Sequence, residues 1–149
     1  MYDVVGGKLS VLFRLDNNEI FSIPAKYIDS VELLTERVVP IPHSPNYIVG
    51  MHRFHNQNIN IVELIRLLGL GTAPNHDVSC SNLLIVINSA IGLLVKEVIG
   101  AKSPLVRQDA GALPNQLIRS VCSFSGVDDI ALELDIPQLL FLYQQMQSS

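Results

Sequence analysis

Two stretches of the chain repeat each other at about half its length. Residues 59–68 read Ile-Asn-Ile-Val-Glu-Leu-Ile-Arg-Leu-Leu, and residues 131–140 read Ala-Leu-Glu-Leu-Asp-Ile-Pro-Gln-Leu-Leu, so Glu63 and Asp135 correspond across a shift of 72 positions. The same shift carries residues 10–23 onto residues 82–95, and both windows read as two strands around a turn. An internal repeat fixes the architecture before any local pattern does. This one predicts two similar small β modules.

Short segments with alternating apolar residues follow one another along the chain, and Gly, Pro, Asn and Asp separate them. Such segments are typical of strands and hairpins. The pattern predicts strands at residues 11–15, 19–23, 31–33, 47–51, 58–62, 83–87, 91–95, 97–101, 119–124 and 130–134. Residues 103–116 contain Pro104, Gly111 and Pro114, and they predict a long loop or a short helix.

Helical segments are few in this sequence. Residues 136–146 form the one long helical pattern, where Pro137 suits the first turn. Residues 24–27 and 64–68 read as short helical turns, and three prolines hold residues 39–46 extended or turned.

Nine or ten short strands and one terminal helix predict an all-β fold of two small five-stranded SH3-like barrels packed together. The 149 residues fit one domain with approximate halves 9–71 and 81–146. The polar residues 72–80 would be the connector. Six apolar residues of the repeated hairpins are expected in the cores, namely Leu12, Phe13, Ile23, Leu84, Ile85 and Leu94.

The composition excludes several classes of protein. The net charge of −4 argues against a general nucleic-acid binder, because such proteins show a basic face. No apolar run reaches the roughly 18 residues that a membrane helix needs, and the N-terminus lacks a signal-peptide layout. Hydrophobic residues make up 48% and charged residues only 16%, which leaves room for an exposed apolar surface. We therefore predict a cytoplasmic protein without membrane insertion.

No cluster of residues predicts a metal site. His52 and His55 are three positions apart, and on a strand such positions point to opposite faces, so both rings could bind one ion only if the strand breaks there. Structural zinc normally takes four ligands, and His43 and His76 lie in predicted loops. We expect no bound metal and no cofactor.

No cluster predicts catalysis either. Cys80 and Cys122 lack a signature of nucleophilic cysteines, and Cys122 lies in a strand pattern that favours the core. Glu63 and Asp135 each stand where a strand gives way to a helix, so we expect them to cap the first helical turns. The sequence thus predicts a protein that is not an enzyme.

Phe54 is a large apolar side chain near a predicted hairpin tip, between Arg53 and His55. An aromatic ring there is either a lid on its own barrel or a contact for a partner. The sequence leaves both interpretations open.

The order of these features resembles the CheW-like domain of bacterial chemotaxis coupling proteins. Residues 38–50 are similar to the family's proline-punctuated approach to a glycine. Residues 59–64 and 68–70 resemble its apolar strand, acid-leucine pair and leucine-glycine-leucine, and residues 92–98 resemble the glycine-led strand of its second half. The resemblance extends from about Leu9 to Leu142.

The hairpin departs from the family pattern. The family's usual asparagine-leucine-arginine-glycine is replaced here by Arg53-Phe54-His55-Asn56, so a histidine stands where the family carries an arginine of its receptor-binding region. Asn56 can keep the turn, because asparagine tolerates positive φ. Asn60 and Lys96 also replace a usual proline and a usual acid.

The resemblance implies a non-catalytic adaptor that couples the cytoplasmic tips of chemoreceptors to the regulatory domain of a CheA-type histidine kinase, within membrane-associated arrays. A module that joins another scaffold or motility system without kinase contact is an alternative. A small-ligand sensor or enzyme using the crevice between the halves is another. Together with the apolar hairpin, the resemblance predicts partner-binding residues Tyr47, Ile48, Met51, Arg53, Phe54, His55, Ile59 and Ile61.

Overall fold

The computed structural model describes residues 2–3, 8–15, 18–34, 38–70, 81–109 and 116–148. Across these ranges the strands are β1 Tyr2–Asp3, β2 Ser10–Arg14, β3 Ile20–Pro24, β4 Ile28–Leu33, β5 Ile48–Phe54, β6 Gln57–Glu63, β7 Asn82–Val86, β8 Ile91–Val95, β9 Glu97–Lys102, β10 Pro104–Asp109, β11 Ile118–Phe124 and β12 Val127–Leu134. The helices are α1 Leu64–Leu67 and α2 Ile136–Ser148, and Ala25–Tyr27 form a 3-10 turn.

The strands form two sheets. Seven strands lie in the order β1-β10-β11-β12-β3-β2-β9, and five lie in the order β4-β7-β8-β6-β5. An all-β fold of two sheets with a C-terminal helix is therefore confirmed, although the first sheet has seven strands and not five.

Each sheet contains a hairpin from the other half of the sequence. Strands β2 and β3 join β10, β11 and β12, and β12 pairs with β3 in parallel. Strands β7 and β8 join β4, β5 and β6, and β6 pairs with β8 in parallel. A 72-residue shift moves β2 onto β7, so the two related hairpins exchange places between the sheets.

The compact units follow the sheets, except at one end each of β2 and β9, and not the sequence halves. The first unit is built from Met1–Leu12, Ile20–Tyr27 and Ile99–Ser149, and the second from Phe13–Glu19 and Ile28–Val98. Sequence periodicity reports which face of a strand is buried but not which strand lies beside it, so the exchange carries no local signal. The predicted connector 72–80 lies outside the described residues.

The cores consist of the alternating apolar residues of the hairpins. The core of the second unit groups Leu34, Ile59, Ile61, Leu83, Ile85 and Leu94. The core of the first unit groups Leu12, Ile20, Cys122, Phe124 and Ala131. All six predicted core residues are buried, which confirms them: Leu12, Phe13, Ile23, Leu84, Ile85 and Leu94.

One segment was predicted wrongly. Residues 104–109, expected as loop or helix, form strand β10, which pairs antiparallel with β11 and with β1. Pro104 is the first residue of the strand, where the missing N–H costs least. Leu105 and Val106 are adjacent apolar residues that are both exposed, so the segment lacks the alternation of apolar and polar residues that indicates a strand. Gly111 and Pro114 lie outside the described residues.

Replacing Leu84 tests the packing of the second sheet. Leu84 is 0% exposed, whereas Leu33 on the neighbouring strand β4 is 52% exposed. We expect Leu84→Ala to lower the free energy of unfolding by about 2–5 kcal/mol, because a buried leucine leaves a cavity. Leu33→Ala, the matched control, should change it by no more than about 0.5 kcal/mol. Equal effects in denaturant titrations would contradict the assigned burial.

Candidate functional site

The hairpin β5–β6 turns tightly at His55 and Asn56. Both residues have positive φ, 47° and 63°. Phe54 and Gln57 pair directly across the turn, so it has two residues. Two-residue hairpin turns with positive φ at both positions match the twist of the strands and favour asparagine. The expectation for Asn56 is confirmed, and His55 also adopts this conformation.

The hairpin divides the eight predicted partner-binding residues into two groups. The side chains of Tyr47, Ile48, Ile59 and Ile61 are buried in the second unit. They hold the hairpin in place and are not accessible to a partner. Arg53 and His55 are exposed, and Met51 and Phe54 are half-buried. The eight therefore do not share one surface, and their partner-binding role stays a prediction.

Phe54 packs against its own module. Its ring lies on the core that contains Leu34 and Ile59. The His52 ring meets it edge-on, with ring centroids 4.6 Å apart and planes at 70°. Phe54 thus covers part of the core, which favours the lid interpretation for its buried side.

His55 connects the hairpin tip to the other edge of the sheet. Its Nε2 lies 3.1 Å from Oε1 of Glu32 on β4. Because β4 and β5 are the two end strands of the five-stranded sheet, this contact joins its edges. His52 lies on β5 and His55 in the turn, so the two do not share one strand as expected, and they contact different residues. No group of three His, Cys, Asp or Glu suited to a metal occurs in the ranges that the structure describes.

The edge of β5 that does not pair with β6 is partly covered by the segment around Val39. Val39 and Met51 exchange backbone hydrogen bonds of 3.0 and 2.8 Å beside the strand. Backbone groups alternate in direction along an antiparallel strand, so Arg53, two residues after Met51, turns its backbone to the same open side. Within the described residues, the Val39 segment thus covers the middle of this side of β5 and leaves the end of the strand for pairing with another strand.

Gly50 allows the segment around Val39 to lie close to β5. A Cβ atom on Gly50 would lie 2.5 Å from both Val38 Cγ1 and the Val39 carbonyl oxygen. We expect Gly50→Ala to separate the Val39 segment from β5 and to speed hydrogen exchange at the Met51 amide about tenfold or more, since each 1.4 kcal/mol of lost protection is tenfold. Val39→Ala keeps the backbone pairing and should leave that rate nearly unchanged. An unchanged rate in Gly50→Ala would contradict the close approach.

The two repeated acids, Asp135 and Glu63, differ in whether the side chain caps the helix that follows. Asp135 Oδ1 accepts a 3.1 Å hydrogen bond from the Gln138 amide, so it caps α2 as predicted. Glu63 stands at the N-cap of α1 without a side-chain capping bond. Its carboxylate lies 3.7 Å from Arg66 Nε. The capping prediction holds for Asp135 only.

Cys122 belongs to the core of the first unit, where it is 1% exposed, as predicted. Its burial, and next the nearby Glu133 carboxylate, raise the pKa of the thiol to about 11. Arg107, Arg119 and the Ser22 hydroxyl oppose this rise. Since the thiolate is the nucleophile, Cys122 is inert at neutral pH. Cys80 lies outside the described residues.

Thiol labelling tests this assignment. In a Cys80→Ser variant we expect Cys122 to react with a disulfide reagent at pH 8 slower than a free thiol by a factor of about 100 or more, because the thiol is both buried and protonated. Unfolding in denaturant should restore the ordinary rate. The raised pKa also predicts that stability is fully present below pH 9 and falls as the pH rises toward about 11. Rapid labelling of the folded protein would contradict the burial.

Two of three comparisons with known proteins find a match. The family model described as the CheW-like domain matches residues 10–142. Fifteen solved chains match the structure. One is the scaffolding protein TtCheW from Thermoanaerobacter tengcongensis, with a TM-score of 0.72, 17% sequence identity, and coverage of 86% of this chain and 88% of that one. No curated protein sequence matches the chain.

Proposed function

The chain belongs to the CheW-like domain family, and from that premise we propose that it is a non-catalytic scaffold of bacterial chemotaxis signalling that couples chemoreceptors to a histidine kinase. The observation that carries the proposal is the family match, which extends over residues 10–142. The partners would be the regulatory domain of a CheA-type kinase and the cytoplasmic tip of a receptor. The protein would act in the cytoplasm, at receptor arrays. Within the described residues, no helix is long and apolar enough to cross a membrane.

The tip of the β5–β6 hairpin is the surface we propose for the partner. Arg53 and His55 are exposed there, and the half-buried Phe54 lies between them. An apolar ring flanked by polar side chains suits an interface, whose centre is apolar and whose rim is polar. The buried residues of the hairpin and the Glu32–His55 contact support the tip from behind. A rigid tip loses little freedom on binding, which favours affinity.

A second candidate is a CheW-like module that joins another scaffold without contacting a kinase. Two observations favour it. The tip carries Arg53-Phe54-His55-Asn56 in place of the family's usual tetrapeptide, and the Val39 segment covers the side of β5 on which a partner strand would pair. Binding measurements with each partner separate the two candidates.

Arg53 is the sharpest probe of the tip, because it is exposed and no core residue depends on it. We expect Arg53→Ala to weaken binding about tenfold or more, the loss expected for an interface arginine. The melting temperature should change by no more than a few degrees, since an exposed substitution costs about 0.5 kcal/mol or less. The measurement is calorimetric titration with the kinase regulatory domain and, separately, with a receptor-tip fragment, both from the native cell.

Lys96→Ala is the matched control. Lys96 is an exposed cation of the same unit, and its Nζ lies 3.1 Å from Asn18 Oδ1. The control should bind like the wild type. Binding of the receptor fragment alone supports the module without kinase contact. An Arg53→Ala protein that binds both partners normally would place the interface elsewhere.

A further inference from the structure

A cationic cleft opens in the first unit, and none of the described residues that line it belongs to the β5–β6 hairpin. Its volume is about 370 Å³, within the lower range of small-molecule sites. The described residues that line it include four cations, Lys8, Lys26, Arg107 and Arg119, and one carboxylate, that of Glu133. These described side chains carry an excess of three positive charges, in a chain whose net charge is −4. General surface charge therefore does not explain the cleft.

Two of the residues that line the cleft, Ser10 on β2 and Glu133 on β12, are buried although they are polar. Ser120 on β11 and Ser22 on β3 are buried beside them, since all four side chains are 3% exposed or less and their strands are consecutive neighbours in the sheet. Glu133 lies opposite both Ser120 and Ser22. Burying polar groups costs free energy unless they are paired. A row of them beside a cleft indicates a prepared polar site.

Glu133 organises the two arginines. Its carboxylate, 2% exposed, accepts hydrogen bonds from Arg107 and, at 2.8 Å, from the Ser120 hydroxyl. Arg107 Nε also donates to Ser120 Oγ at 3.1 Å, and Arg119 Nε lies 3.4 Å from Glu133. These contacts fix the plane of the Arg107 guanidinium group and place Arg119 Nε beside the same carboxylate. Among the described residues, Arg119 uses only Nε, so both of its terminal amino groups can donate to a ligand.

The rest of the wall is apolar. Leu9, Pro24, Ala25 and Pro104 complete the lining. Leu9 is 52% exposed, and its carbonyl is held by a 2.9 Å hydrogen bond from the Ala25 amide. Two prolines keep this wall stiff. The cleft therefore offers charge at one part of its surface and a rigid apolar contact at another.

We propose that this cleft binds a small organic anion. The phosphate or carboxylate head would accept hydrogen bonds from Arg107 and Arg119, whose forked donors match both groups. Lys8 and Lys26 would add charge at the entrance, and the apolar body would lie against Leu9 and the prolines. The site is independent of the proposed scaffold role, so either can fail without the other.

Titration of the isotope-labelled full chain, followed by NMR, tests the proposal. The probes are phenyl phosphate, benzoate, inorganic phosphate and the neutral benzyl alcohol. We expect saturable shifts at the amides of Leu9, Ala25, Arg107 and Arg119 with phenyl phosphate or benzoate, and none with benzyl alcohol. The stronger of the two anions identifies the head group. Inorganic phosphate should bind more weakly than phenyl phosphate, because it lacks the apolar body.

Arg119→Gln should weaken binding about tenfold or more, as loss of a charge-assisted hydrogen bond does. It leaves Glu133 bound to Arg107 and Ser120, so the fold should persist. Lys102→Gln, a cation of the same unit outside the cleft, should bind like the wild type.

Three outcomes would overturn the proposal. The first is the absence of a saturable shift at anion concentrations up to about 10 mM, because a dissociation constant above that value is too weak for a specific site. The second is equal binding in Arg119→Gln and the wild type, and the third is equal loss in Lys102→Gln. If no small anion binds but Arg119→Gln weakens binding of a protein partner, the cleft receives an acidic side chain instead.

Discussion

The fold depends on two parallel strand pairings, β12 with β3 and β6 with β8. The pairing of β12 with β3 joins the hairpin β2–β3 to β10, β11 and β12. The pairing of β6 with β8 joins the hairpin β7–β8 to β5 and β6, and β4 pairs with the other side of that hairpin through β7. Without β8, strand β6 would be left with an unpaired edge, although Ile59 and Ile61 on it are fully packed in the core. A lone hairpin is marginal in water, and three or more strands with an apolar face are needed for stability. Neither half of the sequence therefore contains a complete sheet, and the chain folds only when both halves exchange their hairpins.

This dependence also explains what the sequence could predict. The hairpins, the C-terminal helix and the six core residues follow from local periodicity, which one strand reveals by itself. The exchange between Leu132 and Phe21, or Val62 and Leu93, joins residues distant in sequence, and no periodicity encodes it. The sequence did not predict strand β10, for a related reason. Pro104 and two exposed apolar residues give it no local pattern, so pairing with β11 decides its conformation.

The candidate sites show the same limit. The hairpin tip was predictable, because Arg53, Phe54 and His55 are adjacent in sequence and lie beside a turn. Burial then separates this tip from Tyr47, Ile48, Ile59 and Ile61, which the apolar pattern alone could not do. The arginines of the cleft are single cations in the sequence, and only the order β10-β11-β12 brings Arg107, Arg119 and Glu133 together. The sequence repeat drew attention to Asp135, which follows β12. The buried acid of β12 is Glu133, two residues earlier.

The two cationic sites lie in different units, and this has a thermodynamic consequence. Arg53 and His55 belong to the second unit, and Arg107 and Arg119 to the first. They share no described hydrogen bond or ion pair, so substitutions at one should act independently of the other. Any dependence of partner affinity on an anion in the cleft must therefore pass through the fold itself. Coupling of this kind is reciprocal: an anion that changes partner affinity by a given factor must have its own affinity changed by the partner by the same factor.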